Sequence, residues 1–385
     1  MTSIGTILTA AALGYAAIAV FAVRLRRNSR PRTAAGLRPV SVLKPLCGAE
    51  PELYHCLRSF CEQSYPGLQI VFGLQDPADP ALGVVSRLRA EFPGLDLEVV
   101  VDPRRHGASA KVSNLINMMS AARHEWLVLA DSDVRVPPGH LAAVAAPLAE
   151  PSVGIVTCPY RGLPVARRGR TGIWSKLGAL FINDWFIPSV RVGSLFGSRD
   201  FVSGVTIALR RSTLEAIGGF PAIADQLADD YRLGELSRRR GLSTLLSEVT
   251  VDSWVDERSF ARLAEHELRW LRTIRAVRPG GYAGAGLTFS LPMAALGCAL
   301  AAGTPLTLGL LAGTWGLRLV LHFASGREAR GAGPWAALWV VPLGDLLALL
   351  LWCWGFAARE VTWREARYRV ARDGSACPIS RGCQS

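Results

Sequence analysis

The stretch 125–133 reads Glu-Trp-Leu-Val-Leu-Ala-Asp-Ser-Asp, an apolar run that ends in two carboxylates. A short uncharged run of this kind is typical of a strand buried in a parallel sheet. Alternate residues of an extended chain point the same way, so we expect Asp131 and Asp133 to approach one divalent ion and its diphosphate. A solvated turn is the other interpretation of Asp-x-Asp, but the buried strand directly before it favours the metal site.

Strand and helix signals alternate on both sides of this stretch, from residue 39 to about residue 246. The predicted buried strands are residues 40–43, 70–74, 97–101, 126–130 and 153–157. The predicted covering helices are residues 50–63, 80–91, 111–123 and 138–148. This alternation predicts an α/β domain with a doubly wound, largely parallel sheet, in which ligands bind at the carboxyl ends of the strands.

Two more acidic motifs are candidates for chemistry. Asp76 follows the strand 70–74, and its carboxylate could accept hydrogen bonds from a nucleobase or ribose; a plain Asp-Pro turn is the alternative. Asp229 and Asp230 open a helix that is predicted to end near Arg240. Either they only complement the helix dipole, or one of them is a general base that takes a proton from an acceptor hydroxyl.

Lys111 lies at the predicted start of a helix, after the loop 106–110. A cation at this end is unfavourable for the helix dipole, which indicates an anionic ligand nearby. A surface lysine is the alternative interpretation.

The segment 260–277 is amphipathic and basic, with leucines such as Leu263 and Leu268 on one face. A basic amphipathic helix beside an apolar segment is most simply an interfacial helix at a membrane surface. That interpretation leaves Trp270 beside Arg269 unexplained, and this pair is suited to sugar stacking and diphosphate contact.

The whole chain combines a high apolar content with strong basicity. Its 385 residues are 50% hydrophobic and 19% charged, with a formal net charge of +12 and a mean hydropathy of +0.24. These values exclude a disordered chain and a small disulfide scaffold. The eight cysteines form no CxxC pair, which indicates buried or free thiols in a reducing compartment. The arginines cluster beside apolar segments, so membrane contact explains the basicity better than nucleic-acid binding does.

Residues 4–23 carry no charge and are long enough to span a bilayer. The positive charges follow this segment, so we expect a retained anchor with the subsequent chain in the cytoplasm, and no cleaved signal peptide. These charges are Arg24, Arg26, Arg27, Arg30 and Arg32.

Further apolar segments are a predicted membrane hairpin, 287–304 and 306–323, and a span at 334–358. Arginines mark both flanks of 334–358 as cytoplasmic, namely Arg327, Arg330, Arg359, Arg364, Arg367 and Arg369. A segment that crosses the membrane once has its flanks on opposite sides. Either 334–358 therefore re-enters or lies in the interface, or one of the arginine clusters does not mark a cytoplasmic flank. Arg318 and Asp345 fall inside apolar segments; they either pair with each other or snorkel to an interface.

Taken in order, the motifs resemble the processive-type inverting membrane glycosyltransferases with a GT-A fold, and within them the ceramide glucosyltransferase branch. The strings that carry this resemblance are Lys44-Pro45-Leu46-Cys47-Gly48, Gln75-Asp76-Pro77-Ala78-Asp79-Pro80, Lys111-Val112-Ser113-Asn114-Leu115, Asp131-Ser132-Asp133, Ala228-Asp229-Asp230-Tyr231 and His266-x-x-Arg269-Trp270. In residues 112–118 and 265–275 the chain is most similar to the bacterial hopanoid biosynthesis glycosyltransferases. The resemblance covers about residues 39–280 and, more loosely, the flanking apolar segments.

The resemblance implies transfer of N-acetylglucosamine, with inversion, from UDP-GlcNAc to the terminal hydroxyl of a hopanoid such as bacteriohopanetetrol. It implies Mg²⁺ or Mn²⁺ as cofactor, and a multi-pass protein of the bacterial inner membrane whose catalytic domain faces the cytoplasm. Ceramide glycosylation from UDP-glucose or a related UDP-sugar is the alternative, and a non-catalytic nucleotide-sugar-binding membrane protein is a weaker one. The expected organisation is an anchor (1–24), a Rossmann-like GT-A domain (39–258), an amphipathic interfacial helix (259–280), membrane segments (286–358) and a cytosolic tail (359–385).

Carried over residue by residue, the resemblance makes Asp230 the catalytic base. It assigns uridine to Asp76, and UDP with the metal to Asp131 and Asp133. The other expected donor-binding residues are Lys44, Pro45, Lys111, His266, Arg269 and Trp270. The family motif usually begins with Gln or Arg where this chain has His266; a neutral histidine still offers a hydrogen bond to a phosphate or hydroxyl. Before the base, this chain has Asp229 where the ceramide enzymes carry Glu.

Overall fold

The computed structural model describes residues 1–25, 36–167, 170–199, 201–325, 334–357, 360–363, 366–371 and 375–379. Arg24, Arg367 and Arg369 are among these residues. The other arginines used above to orient the apolar segments lie outside them, namely Arg26, Arg27, Arg30, Arg32, Arg327, Arg330, Arg359 and Arg364.

The described strands, in chain order, are β1 Val40–Pro45, β2 Leu68–Leu74, β3 Asp96–Val101, β4 Trp126–Ala130, β5 Val134–Arg135, β6 Val153–Thr157, β7 Tyr160–Pro164, β8 Ala166–Arg167, β9 Arg170–Thr171, β10 Thr206–Arg210, β11 Ser243–Leu246, β12 Val251–Val255, β13 Glu360–Trp363, β14 Ala366–Val370 and β15 Ala376–Pro378.

The described α-helices are α1 Thr2–Arg24, α2 Leu53–Cys61, α3 Ala81–Glu91, α4 Ala110–Met118, α5 His140–Ala145, α6 Ile173–Leu180, α7 Ile187–Leu195, α8 Arg211–Ala216, α9 Asp229–Arg239, α10 Phe260–Val277, α11 Pro279–Gly284, α12 Ser290–Leu300, α13 Pro305–Ser325 and α14 Pro334–Gly355. A π-helical segment, Phe181–Phe186, links α6 to α7. Short 3-10 helices cover Ala146–Ala149, Phe220–Ile223 and Ala285–Thr288.

The chain divides into two compact units. One, here called the sheet unit, comprises Arg27–Tyr160 and Arg199–Trp254. The other, the apolar unit, comprises Met1–Arg26, Arg161–Ser198 and Val255–Ser385.

A seven-stranded sheet in the order β11-β6-β10-β4-β1-β2-β3 forms the centre of the sheet unit. β1 pairs in parallel with β2 and β4, β2 with β3, and β6 with β11. β10 is antiparallel to both of its neighbours, with Thr206 opposite Ala130 of β4. β4 is buried along its whole length because it lies inside the sheet, which explains its continuous apolar sequence.

The predicted α/β class and the largely parallel sheet are confirmed, and strands 126–130 and 153–157 have the predicted bounds. The predicted helix 111–123 is wrong at its end, since α4 stops at Met118. Beyond it, tight turns bond Ala121 N and Ala122 N to Met118 O, and Arg123 N donates to side chains. The predicted helix 138–148 changes at Ala146 into a 3-10 turn, because Pro147 cannot donate a helical hydrogen bond.

The apolar unit contains three helices that are long and apolar enough to cross a membrane, among the described residues. They are Thr2–Arg24, Pro305–Ser325 and Leu338–Gly355. A fourth candidate, Pro279–Thr288 with Ser290–Leu300, bends by 70°. The predicted hairpin arm 287–304 contains α12, whose 11 residues are too few to span a bilayer on their own. Pro292 lies in the first turn of α12, where it is tolerated, whereas inside a longer helix it would break a hydrogen bond.

The predicted helix 260–277 is confirmed as α10, with the bounds that the sequence gives it. Its leucine face, with Leu263, Leu268 and Leu271, is buried, and Leu268 and Leu271 belong to a core cluster with Phe289 and Leu351 of the same unit. Within the apolar unit, Arg318 pairs with Asp345, which was one of the two interpretations left open above.

Candidate active site

The candidate site lies at the carboxyl edge of the central sheet, in the sheet unit. β1 and β4 run in parallel and end at this edge, so Lys44 and Asp131 are brought together by the sheet register. β10 runs the other way, so its first residue, Thr206, stands beside Ala130. The loop before β10 therefore reaches the same edge as the ends of the parallel strands.

The chain turns directly after β4, and the two carboxylates of the Asp-Ser-Asp motif find different partners. An Asp131 oxygen, Oδ1, lies 2.7 Å from Lys111 Nζ. Asp133 Oδ2 accepts a hydrogen bond of 2.7 Å from Ser253 Oγ. Burial and the neighbouring Asp131 charge raise the pKa of Asp133, because both disfavour the ionised form of this carboxyl group.

Lys111 links the Asp-Ser-Asp motif to the acidic start of α9. Its Nζ lies 2.7 Å from Asp131 Oδ1 and 3.4 Å from Asp229 Oδ2. Burial opposes the charge of the ammonium, but the charges of Asp131 and Asp229 outweigh it, so the pKa of Lys111 is raised. The lysine is predicted above to lie at a helix start, and it is the second residue of α4, whose first turn is capped by Ser109.

Asp230 is held by two backbone groups. Its Oδ2 accepts a 2.9 Å hydrogen bond from Gly204 N, and its Oδ1 accepts one of 2.7 Å from Tyr231 N. Burial, followed by the Asp229 charge, raises the pKa of Asp230 to about 6. At neutral pH such a group is mostly ionised and still basic enough to take a proton.

Gly204 marks the point where the two acidic motifs meet. A Cβ atom at this position would lie 3.2 Å from Lys111 Nζ and 3.5 Å from both Asp131 Oδ2 and Asp230 Oδ2. Residues far apart in sequence therefore share one small space, and only a residue without a side chain leaves it open.

Lys44 is a second, fully buried cation at this edge. Its Nζ donates to the backbone carbonyl of Asp131 and lies 4.2 Å from the centre of the Phe60 ring. Burial lowers the pKa of Lys44 to about 8, and the nearby carboxylates counteract part of that effect. Pro45 ends β1 directly after it.

Glu50 joins the site although its sequence gives no motif that identifies it. Its Oε2 accepts a 3.3 Å hydrogen bond from Ser132 Oγ. Desolvation of the carboxylate, and then the Asp133 charge, raise the pKa of Glu50 to about 7. The one available signal was its position six residues after Lys44 on the same sheet edge.

Asp76 and Asp79 both follow β2 but have different hydrogen-bond partners. Asp76 is exposed, and its Oδ1 accepts a 2.8 Å hydrogen bond from Ala78 N, which is the turn interpretation given above. The exposed carboxylate keeps further lone pairs for a ligand. Both oxygens of Asp79 accept from Gly48 N, at 3.0 and 2.9 Å, so Asp79 fixes the loop after Lys44. Sequence analysis missed this role.

The donor set suits a hard divalent ion, since Asp131, Asp133 and Glu50 offer carboxylate oxygens. Among the described residues, however, no three His, Cys, Asp or Glu side chains are arranged to hold a metal ion. In this structure Lys111 supplies the positive charge next to Asp131.

Comparison with known proteins decides the family. A sequence model of the family described as "Glycosyl transferase family 21" matches residues 4–376. The chain belongs to this family.

Curated relatives of this family 21 chain carry the name ceramide glucosyltransferase. Ceramide glucosyltransferase 1 of Caenorhabditis elegans is 25% identical over 232 residues, which are 60% of this chain and 48% of that protein. The ceramide glucosyltransferase of Komagataella phaffii is 32% identical over 107 residues, covering 27% of this chain and 21% of that protein. The chain spans half or less of the length of these relatives.

A solved structure supports the fold of this family 21 chain. The mannosyltransferase PcManGT from Pyrobaculum calidifontis, in complex with GDP-Man and Mn²⁺, has a TM-score of 0.55 at 23% sequence identity. The alignment covers 91% of this chain and 98% of that chain. The expected GT-A-like mixed α/β fold is thereby confirmed.

The remaining predicted donor residues of this family 21 chain lie on α10, in the apolar unit. His266 Nδ1 lies 2.7 Å from Glu257 Oε1, and its ring is edge-on to Trp270, with 5.1 Å between the ring centres. Trp270 also contacts Phe186, at 5.9 Å between centres. Glu257 was likewise not predicted from the sequence, and it orients the histidine of the His-x-x-Arg-Trp motif.

Proposed function

We propose that this protein transfers a sugar from a UDP-sugar donor to a hydroxyl group of a membrane lipid, with inversion. The favoured reaction moves N-acetylglucosamine from UDP-GlcNAc to the terminal hydroxyl of a hopanoid such as bacteriohopanetetrol. The observation that carries the proposal is the meeting of Lys111, Asp131 and Asp230 around Gly204. A basic residue for an anionic leaving group and a carboxylate of raised pKa for proton removal are what such a transfer requires.

Asp230 is the proposed catalytic base. Hydrogen bonds from Gly204 N and Tyr231 N fix its carboxylate, so little reorganisation is needed when the acceptor hydroxyl arrives. The carboxylate takes the hydroxyl proton while the lipid oxygen attacks the anomeric carbon from the side opposite UDP. One displacement with one base inverts the anomeric centre.

The donor diphosphate is proposed to bind beside Lys111 and the Asp-Ser-Asp turn. When the anionic UDP departs, the Lys111 ammonium stabilises the developing charge, and Lys44 holds the backbone of Asp131 in place. Asp131 and Asp133 would hold Mg²⁺ or Mn²⁺, which would neutralise charge on the leaving diphosphate. Asp76 is proposed to bind uridine.

The apolar unit is proposed to anchor the protein in a bacterial inner membrane, with the sheet unit in the cytoplasm. Its three candidate spans and basic helix α10 support this arrangement. His266, Arg269 and Trp270 are proposed to contact the donor diphosphate and sugar. The lipid acceptor then need not leave the bilayer to react.

The variant Asp230→Asn tests the proposal. We expect a loss of transfer of about a thousandfold, which is within the range for removal of a general base, and UDP binding within about twofold of wild type. Radiolabelled sugar transfer to extracted lipids measures the first, and titration calorimetry with UDP measures the second. Asp96→Asn, at the start of β3 with a side chain that is 37% exposed, is the matched control and should transfer normally. Unchanged transfer in Asp230→Asn would refute the assigned base.

Ceramide glycosylation from UDP-glucose is the second candidate, and the names of the curated relatives favour it. Purified protein incubated with several UDP-sugars and with hopanoid and ceramide pools separates the two reactions by product mass. A mass increase in neither pool, with intact UDP binding, would instead support a non-catalytic nucleotide-sugar-binding protein.

A further inference from the structure

The apolar unit contains a buried polar cluster that the proposed reaction does not use. Arg318 on α13 is 4% exposed and holds Asp345 of α14 through two hydrogen bonds, Nε to Oδ2 at 2.7 Å and Nη2 to Oδ1 at 2.5 Å. Asp184, 5% exposed, lies 3.8 Å from the same guanidinium, and its Oδ2 lies 2.8 Å from His322 Nδ1. We call these four residues the Arg318 cluster.

The Arg318 cluster has more hydrogen-bonding capacity than its members use. Asp345 alone satisfies two donors of Arg318, so a structural ion pair would be complete without Asp184. Among the described residues, Asp184 Oδ1 and Arg318 Nη1 have no hydrogen-bond partner, although both atoms are buried. A buried acceptor or donor left unpaired is unfavourable, so a ligand that pairs either of them is favoured.

A pocket opens onto this cluster. It is lined by Asp184 and Asp345 and otherwise by apolar or small residues, including Leu180, Val341 and Gly344. The pocket has room for one group of the size of a water molecule. A phosphate or sugar does not fit, but one hydroxyl group does.

The backbone beside the pocket is also unusual. Asp184 lies in the π-helical segment Phe181–Phe186, and π-helical turns are rare and concentrate at functional sites. A regular α-helix would place the residues of this segment at other angles around its axis. The segment therefore presents Asp184 to α13 at the expense of regular helix geometry.

We infer that this pocket binds a hydroxyl group of a membrane lipid, next to Asp184 and Arg318. The hydroxyl donates to the carboxylate of Asp184, which lines the pocket, while the apolar lining contacts the adjoining hydrocarbon. A hydroxyl group is uncharged, so it adds no net charge to a cluster in which Arg318 already balances one carboxylate. Identification of this lipid with the acceptor rests on the proposed function, but the hydroxyl site can be tested without it.

Binding of two probes to the full-length protein in detergent tests the site. The probes are radiolabelled hexadecane-1,2-diol and its dimethyl ether, which keeps the oxygens but loses the donors. We expect the diol to bind at least about tenfold more tightly than the ether, because only the diol can donate to a carboxylate. Equal binding of both, or no binding of either above the detergent background, means a water site only and overturns the inference.

A pair of glycine variants locates the binding. Gly344 lines the pocket, and the atoms nearest to a Cβ there belong to the Leu180 and Leu177 side chains, at 3.6 Å or more, so Gly344→Leu can place its side chain in the pocket. Gly309→Leu, on α13 where a Cβ would meet nothing within 4 Å, is the control. We expect Gly344→Leu to lose the diol preference and Gly309→Leu to keep it. A diol preference that survives in Gly344→Leu would overturn the location.

Asp184→Asn is a further variant that keeps the size of the side chain. It should weaken diol binding and leave ether binding unchanged, and equal loss of both would overturn the role of Asp184. Sugar transfer to lipid, measured with the same preparations, separates this inference from the proposed function. If the diol shows no preference while sugar transfer persists, the hydroxyl site is refuted and the function stands; if the diol binds as expected but no lipid is glycosylated, the function is refuted and the site stands.

Discussion

The candidate site of the sheet unit and the Arg318 cluster of the apolar unit each place a basic residue between two carboxylates, and these two triads differ in almost everything else. In the sheet unit, Lys111 lies between Asp131 and Asp229, and its side chain is 25% exposed. In the apolar unit, Arg318 lies between Asp345 and Asp184, and its side chain is 4% exposed. The cation of the first triad is thus in contact with water, whereas the cation of the second is almost fully buried.

The difference teaches what each triad can do. A lysine ammonium is a point charge that can turn from one partner to another, and partial exposure lets an anionic ligand replace a carboxylate. An arginine guanidinium that makes two hydrogen bonds to one carboxylate has a fixed orientation. Because it is buried, removal of either partner lowers the free energy of unfolding strongly. We therefore expect the lysine triad to exchange partners during the reaction and the arginine triad to hold helices together.

Removal of Arg318 is the most severe test of this contrast. Arg318→Met leaves two buried carboxylates without their cation, so we expect a loss of about 3–5 kcal/mol of unfolding free energy. Arg239→Met is the matched control, since Arg239 is 64% exposed in its pair with Glu235, and it should cost at most about 1 kcal/mol. Denaturation in detergent, followed by tryptophan fluorescence, measures both. Similar losses in the two variants would contradict the contrast.

Removal of Lys111 should affect ligand binding more than stability. In Lys111→Met, Asp131 and Asp229 lose their counter-charge and repel an anionic donor, so we expect UDP-sugar binding to weaken by about 10–100-fold. Calorimetric titration with UDP measures the change. Lys176→Met removes the same charge from α6 in the apolar unit and should bind UDP normally. If both variants lose affinity equally, net charge and not the lysine triad governs binding.

The pH dependence of transfer tests the basic group next to the lysine triad. The pKa of Asp230 is raised to about 6, and only the deprotonated carboxylate can accept a proton. The rate at saturating donor should therefore be constant at neutral pH and fall about tenfold between about pH 7 and about pH 5. Lipid glycosylation rates across this range give the midpoint. A midpoint near the ordinary aspartate pKa of about 4 would show that the environment of Asp230 does not act as described.

The smallest expected effect concerns the space between the motifs. Gly204→Ala places a Cβ 3.2 Å from Lys111 Nζ, and the flexible lysine can yield, so we expect a loss of only about threefold in transfer rate. Gly83→Ala, at a position in α3 where a Cβ meets nothing within 4 Å, serves as the control. A gain in rate for Gly204→Ala would mean that the close approach at this position is not needed.

The sequence predicted the parts of the fold that depend on local pattern. β4 and β6 were placed correctly because each is a continuous apolar run, and α10 because its leucines recur at helical spacing. β10 was not predicted, since its antiparallel insertion between β4 and β6 depends on pairing with residues some 50 to 80 positions earlier. The bend before α12 was missed for a similar reason, because apolarity alone does not show where a helix breaks.

The candidate site divides in the same way. Lys111, Asp131 and Asp230 were found because charged motifs stand out beside buried strands and at helix starts. The sequence did not predict roles for Glu50, Ser253 and Gly204. No motif surrounds these residues, and their roles depend on contacts across the fold. Asp79 was missed because the neighbouring Asp76 has the same surroundings in sequence, and only the contact with Gly48 tells them apart.

The reversed direction of β10 has a consequence for how this protein can change in evolution. Thr206 stands beside the reacting groups, whereas Arg210 stands at the opposite end of the sheet. A peptide inserted ahead of Thr206 would push into the space around Gly204, while one inserted after Arg210 would enter at the other end of the strand, where Arg211 N donates to Glu125 O. Length variation among homologous chains should accordingly accumulate on the later side of this strand, and transposon-based insertion libraries would recover functional clones from that side first.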